Sequence, residues 1–129
     1  IIGKYQKREN IVFLTDCPLV FPLLARSALY LGDMSSIGYD FLAFNRPLFF
    51  LNKRDRDPDT TRGLFLYRCG VDIRPADYPN LYSIITTYLE SGEDTFSSIR
   101  KKIYDYTFGE ERSFNAIKQE IIAAYNTSI

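Results

Sequence analysis

The 129-residue sequence has no histidine and no tryptophan, and it contains only two cysteines. Without histidine, the chain cannot build a Ser–His or Cys–His nucleophilic pair, and it cannot build a zinc site that uses histidine. Cys17 and Cys69 are too few to close a structural zinc site, and such sparse cysteines are typical of a reducing compartment. We therefore expect neither a metal nor a cofactor.

An excess of positive charge is also absent, because 16 basic side chains are balanced by 16 acidic ones. This balance argues against nucleic-acid binding, which needs a basic field to meet the phosphate charge. No apolar run approaches the roughly 20 residues that span a bilayer. The G-x-x-x-x-G-K-[ST] and G-x-G-x-x-G nucleotide loops are missing as well. We expect a cytoplasmic protein with no nucleic-acid partner.

What the sequence does have is a hydrophobic content of 46% and an aromatic content of 16%, enough for one packed domain. The first residue is Ile1 rather than methionine. We therefore expect residues 1–129 to be a single, partial domain from a longer protein.

The central stretch is residues 29–51, LYLGDMSSIGYDFLAFNRPLFFL. Short apolar runs at 29–31 and 48–51 have the character of buried parallel strands. Between them, Ser35 or Ser36 caps a predicted helix that ends at Asn45-Arg46-Pro47. An earlier run, 11–14, predicts a third strand, followed by a helix that starts at Asp16. This alternation predicts an α/β fold, a Rossmann-like parallel sheet with flanking helices.

The second half of the sequence predicts an edge hairpin and three helices. The hairpin joins residues 64–67 to 71–73, and the helices cover about 77–89, 95–106 and 113–125. Before the hairpin, residues 53–63 read KRDRDPDTTRG, a charged loop with no apolar anchor. Because aspartates alternate with the cations of residues 53–56, we interpret that part as solvated surface.

The candidate binding site is the turn before the first predicted helix of the central stretch. Open α/β sheets bind ligands beyond the carboxyl ends of their strands, where Ser35 and Ser36 lie at a helix start suited to a phosphate. Asp33 would repel that phosphate unless it holds a donor such as a ribose hydroxyl. Asp40 lies one turn into the helix. Serine capping alone, with no ligand, is the simpler alternative for this turn.

Two segments resemble the CDP-glycerol glycerophosphotransferases, which build teichoic-acid and related polyol-phosphate polymers. Residues 32–40, GDMSSIGYD, and the following Arg46-Pro47 are similar to that family's D-Y-S-S-x-x-x-D and K-P segments. Residues 62–67, RGLFLY, resemble its R-G-f-y-f-d segment. The sequence departs from the pattern at Met34, usually aromatic, and near Tyr67, usually an acid.

The resemblance implies that this chain is the nucleotide-binding, C-terminal part of a GT-B-type transferase. Asp33, Ser35, Ser36, Asp40, Arg62 and Gly63 would then contact the CDP-glycerol donor. The catalytic base and the polymer acceptor would belong to missing segments, so the chain alone is expected to be inactive. The intact enzyme would act in the cytoplasm, with peripheral attachment to the inner face of the membrane as a further option.

Two other functions remain open at this stage. The first is a UDP-type sugar-nucleotide glycosyltransferase or epimerase of GT-B architecture, in which a similar helix start meets a diphosphate. The second is a non-catalytic α/β interaction module, which an aspartate at a strand end such as Asp33 would also fit. Nucleotide binding separates the CDP-glycerol and UDP-type enzymes from the interaction module, and base preference separates these two enzymes from each other.

Overall fold

The computed structural model describes residues 2–17, 19–110 and 112–128. It is a mixed α/β fold around three short parallel strands: β1 (Tyr30–Gly32), β2 (Leu48–Leu51) and β3 (Val71–Ile73). The strands lie side by side in chain order, with β2 in the centre. The α/β class and the two strands of the central stretch are therefore confirmed.

Helices and short 3-10 segments connect and cover these strands. The helices are α1 (Ile2–Tyr5), α2 (Val20–Arg26), α3 (Ser36–Phe41), α4 (Leu81–Ser91), α5 (Ser97–Phe108) and α6 (Phe114–Thr127). The 3-10 segments are Leu42–Phe44, Phe65–Cys69 and Pro75–Asn80. The three helices predicted for the second half are confirmed as α4, α5 and α6. Among the described residues, no helix is both long enough and apolar enough to cross a membrane.

Alternation along β2 divides the core between the two faces of the sheet. Leu48 and Phe50 belong to the main cluster, where Phe50 stacks on Tyr67 with 4.9 Å between ring centroids. Phe49 points to the opposite face, where its ring makes a T-shaped contact with Tyr88 of α4, with 5.5 Å between ring centroids. All three β2 residues are at most 1% exposed, so this strand is buried on both faces.

The strand predicted at residues 11–14 is wrong. The structure shows irregular backbone there, and Val12 is 78% exposed. β propensity reflects how well a side chain fits a pleated surface with neighbours, so an apolar run without a pairing strand does not become one. The third strand of the sheet is Val71–Ile73 instead.

The predicted hairpin is also wrong. Phe65–Cys69 forms a 3-10 helix, and Val71–Ile73 pairs with β2 in parallel, not with residues 64–67. Leu66 and Cys69 of this segment are fully buried in the main core. A short apolar run has the same pattern in a buried strand and in a buried helical turn, so periodicity alone could not separate the two.

The charged loop has the apolar anchor that its sequence seemed to lack, because Pro58 is buried. Arg68 holds the backbone beside it, since its Nε donates to Pro58 O at 3.0 Å and its Nη2 to Asp59 O at 2.8 Å. Charge dominates the composition of the loop, but a single proline and one arginine from the next segment tie it to the fold.

Candidate functional site

A cleft of about 230 Å³ opens at the carboxyl ends of β1 and β2. We name it the strand-end cleft. The turn after β1 supplies Asp33 and Met34 to its wall, the last residue of β2 supplies Leu51, and the loop after β2 supplies residues 52–54 and Arg56. Tyr67 closes it from the 3-10 segment. Parallel strands bring both turns to one edge of the sheet, which is where open α/β sheets bind ligands.

The charge around the strand-end cleft is positive. Lys53, Arg54 and Arg56 line it together with a single carboxylate, that of Asp33. Lys53 Nζ lies 3.3 Å from Asp33 Oδ2, but both side chains are more than half exposed, so this pair contributes little to stability. Within the described parts of the chain, Arg54 and Arg56 make no ion pair. Arg54 and Arg56 can therefore bind an anion in the cleft without first breaking an ion pair.

Asn52 fixes the loop that carries these cations. Its side-chain Nδ2 donates to Arg56 O at 2.6 Å, and its Oδ1 accepts from Arg56 N at 3.2 Å. The residue is only 2% exposed, so these bonds satisfy a buried amide that would otherwise be costly. Asp55, which lies between Asn52 and Arg56 in the sequence, takes a left-handed conformation with φ of 49°. The loop over residues 52–56 is thus a closed turn that holds its basic residues at the cleft.

The turn after β1 is held by two tyrosine hydroxyls. Tyr30 OH lies 3.1 Å from both Asp33 O and Ser35 Oγ. Tyr67 OH accepts a hydrogen bond from Met34 N at 3.1 Å. Ser35 is the N-cap of α3, and its hydroxyl accepts from Gly38 N at 3.4 Å. The Ser35 hydroxyl is therefore engaged within the fold.

We predict that Ser35→Ala lowers the free energy of unfolding by about 1 kcal/mol, the usual cost of losing a serine N-cap. Ser36→Ala should change it by less than about 0.5 kcal/mol, because Ser36 is an exposed first-turn residue with no capping bond. Urea unfolding of both variants checks this. Equal losses would mean that the capping role is shared.

The structure brings only one of the six predicted site residues, Asp33, to the strand-end cleft. Ser35, the N-cap of α3, and Ser36, its first residue, do not line the cleft. Asp40 is exposed further along the same helix. Arg62 and Gly63 lie at the far end of the charged loop, with Gly63 at φ of 91°. Donor contacts of these five residues stay a prediction.

Sequence reasoning passed over the basic loop and Tyr67. The signal for the loop was its position, because Lys53 comes two residues after the end of a buried parallel strand. We interpreted residues 53–56 as solvated because aspartates alternate with the cations. In the structure, however, Asp55 faces Arg74, with Oδ1 3.4 Å from Nη1, and Asp57 does not line the cleft.

Other chemistry is sparse. Both cysteines are free, and burial raises the pKa of the Cys69 thiol to about 11, so it stays protonated at neutral pH. Over the described ranges, no group of three or more acidic or cysteine side chains is placed to hold a metal. The arrangement can bind and orient an anion.

A comparison of the chain with protein-family models, with curated proteins and with solved structures finds no match.

Proposed function

We propose that this chain is the donor-binding part of a CDP-glycerol glycerophosphotransferase-like enzyme, from the C-terminal Rossmann-like half of a GT-B architecture. The observation that carries the proposal is the strand-end cleft, where Lys53, Arg54 and Arg56 line the carboxyl ends of two parallel strands. A phosphate group is the ligand that such a position and such charges suit best. The choice of CDP-glycerol as the donor rests on the two sequence segments that resemble the family.

The size of the cleft limits what it holds. Sites for drug-sized ligands usually measure about 300–1,000 Å³, and this cleft measures about 230 Å³. It accommodates the diphosphate, while the cytosine base and the glycerol extend beyond it. Asp33, on the wall of the cleft, is the acceptor for a ribose hydroxyl, and its pairing with Lys53 reduces its repulsion of the phosphates.

In the proposed reaction, a polyol hydroxyl of the growing cell-surface polymer attacks the β-phosphorus of the donor. The bond from that phosphorus to the bridging oxygen breaks, CMP leaves, and the hydroxyl proton passes to a base from another segment. Basic side chains fixed beside the diphosphate stabilise the charge that builds on it during transfer. We propose a cytoplasmic location for this activity, with peripheral attachment of the intact enzyme to the inner face of the membrane as a further option.

Isothermal titration calorimetry with CDP-glycerol, UDP-glucose and inorganic pyrophosphate tests the proposal. We expect saturable binding of all three, tightest for CDP-glycerol, because the diphosphate is shared and only the base and polyol differ. Tighter binding of UDP-glucose would replace the proposal with a sugar-nucleotide enzyme. Absence of binding by every one of these ligands would contradict any nucleotide function and favour an interaction module.

A further inference from the structure

The hydroxyl of Tyr67 has an unused proton at the strand-end cleft. Tyr67 is only 6% exposed, and it lines the cleft beside Met34. Among the residues that the structure describes, its only hydrogen bond is the one that it accepts from Met34 N at 3.1 Å. A phenol can accept and donate at once, so this contact leaves the O–H without an acceptor.

The position of the ring is fixed independently of the hydroxyl. It stacks on Phe50 at 4.9 Å between centroids and 25° between planes, inside the main core. Burial raises the pKa of Tyr67 above its ordinary value, so the hydroxyl keeps its proton at neutral pH. The group is therefore a rigid neutral donor on the wall of a cationic cleft.

We propose that Tyr67 is a ligand-binding residue, whose O–H donates a hydrogen bond to a phosphate oxygen of the diphosphate held beside Lys53, Arg54 and Arg56. The inference deepens the proposed function and rests on it. Because Met34 N donates to the same oxygen, it orients the hydroxyl and polarises its O–H bond.

Tyr67→Phe tests the assignment, because it removes the hydroxyl and keeps the stacked ring. We expect its affinity for inorganic pyrophosphate, measured by calorimetry at pH 7, to fall by about tenfold to a hundredfold, the range for losing a hydrogen bond to a charged group. The matched control is Tyr30→Phe. It removes a hydroxyl that holds the same turn through Asp33 O and Ser35 Oγ but does not line the cleft. We expect this control to keep its affinity within about twofold.

Equal losses in the two variants would show that the turn, not a donated hydrogen bond, sets the affinity, and would overturn the inference. Unchanged affinity in Tyr67→Phe would overturn it too. Wild-type protein that binds no pyrophosphate would instead refute the proposed function itself. If Tyr67→Phe fails to fold, 3-fluorotyrosine at position 67 keeps the hydroxyl and makes it more acidic. The inference then predicts tighter pyrophosphate binding at pH 7, and weaker or unchanged binding would overturn it.

Discussion

Arg100→Met should lower the free energy of unfolding by about 3 kcal/mol, because it removes a buried guanidinium and leaves a partly buried carboxylate and three carbonyl oxygens without their donor. Arg100 is 0% exposed, and it pairs with Asp94. Its Nε also donates to Asn45 Oδ1 at 2.8 Å, and its guanidinium bonds the carbonyls of Asn45 and Cys69. Domains of this size are stable by only about 5–15 kcal/mol, so the loss should take a large share of the total.

The physical reason is that Arg100 joins three separate parts of the fold. Arg100 belongs to α5. It bonds Asn45, which follows the 3-10 segment Leu42–Phe44, and Cys69, which ends the 3-10 segment before β3. Methionine keeps much of the volume but leaves these acceptors without a donor. Urea unfolding measures the change. Lys101→Met, at an exposed position on the same helix, is the control and should stay within about 0.5 kcal/mol of wild type.

The same contact gives an acid-sensitive stability. Partial burial opposes ionisation of Asp94, but hydrogen bonds from Arg100 and Tyr88 outweigh it and lower the pKa of Asp94. A carboxyl with a lowered folded pKa adds stability above its unfolded pKa and loses it as the pH falls through the folded value. Wild-type stability should therefore decrease below about pH 4, and Arg100→Met should show a shallower decrease. A steeper decrease in the variant would contradict this account.

Neutralising the cations of the strand-end cleft should have the largest effect on binding. In Lys53→Gln/Arg54→Gln/Arg56→Gln, we expect pyrophosphate affinity to fall by about a hundredfold or more. Two lost charge-assisted contacts of about 1.5 kcal/mol each already give that factor. Calorimetry of wild type and variant in the same buffer measures the loss.

The control for this variant removes the same charge elsewhere. Lys101→Gln/Lys102→Gln/Lys118→Gln also changes the net charge by three, and its positions, on α5 and α6, do not line the cleft. We expect it to retain affinity within about threefold, because these exposed side chains do not line the cleft and physiological salt screens exposed charges over a Debye length of about 8 Å. Comparable losses in the two triple variants would mean that overall charge, not the cleft, governs binding.

The part of the fold that could be predicted from sequence is the part with local signals. Pro47 and the four apolar residues after it identify β2, and Gly92, in a left-handed conformation, ends α4 as its sequence suggests. Val71–Ile73 was visible as a strand, but its partner was not. Strand pairing depends on which segments meet in space, and a single sequence does not show this. Leu66 is buried in the core as part of a 3-10 helix, although the apolar run around it predicted a strand.

The candidate site was predictable in place but not in composition. The rule that ligands bind beyond strand ends pointed to the turn at Asp33, which does line the cleft. The loop after β2 also lies beyond the end of a strand, but its alternating charges favoured a solvated surface over a ligand site. The backbone of Arg56 is held by two hydrogen bonds with the side chain of Asn52, a local contact that the charge pattern does not reveal. Tyr67 comes from a segment 33 residues away from Met34, and a contact between such distant segments leaves no periodic trace in a sequence.

Nuclear magnetic resonance mapping of CDP-glycerol on the isotope-labelled chain shows, without a mutation, whether the strand-end cleft binds the donor. We expect saturable shifts that are largest at the backbone amides of Asp33, Met34 and residues 53–56, and a shift of the Tyr67 ring. The amides of α6 (Phe114–Thr127), a helix with no residue in the cleft, should stay unchanged. Largest shifts elsewhere in the chain, or no saturable shifts at the strand-end cleft, would contradict the proposed donor site.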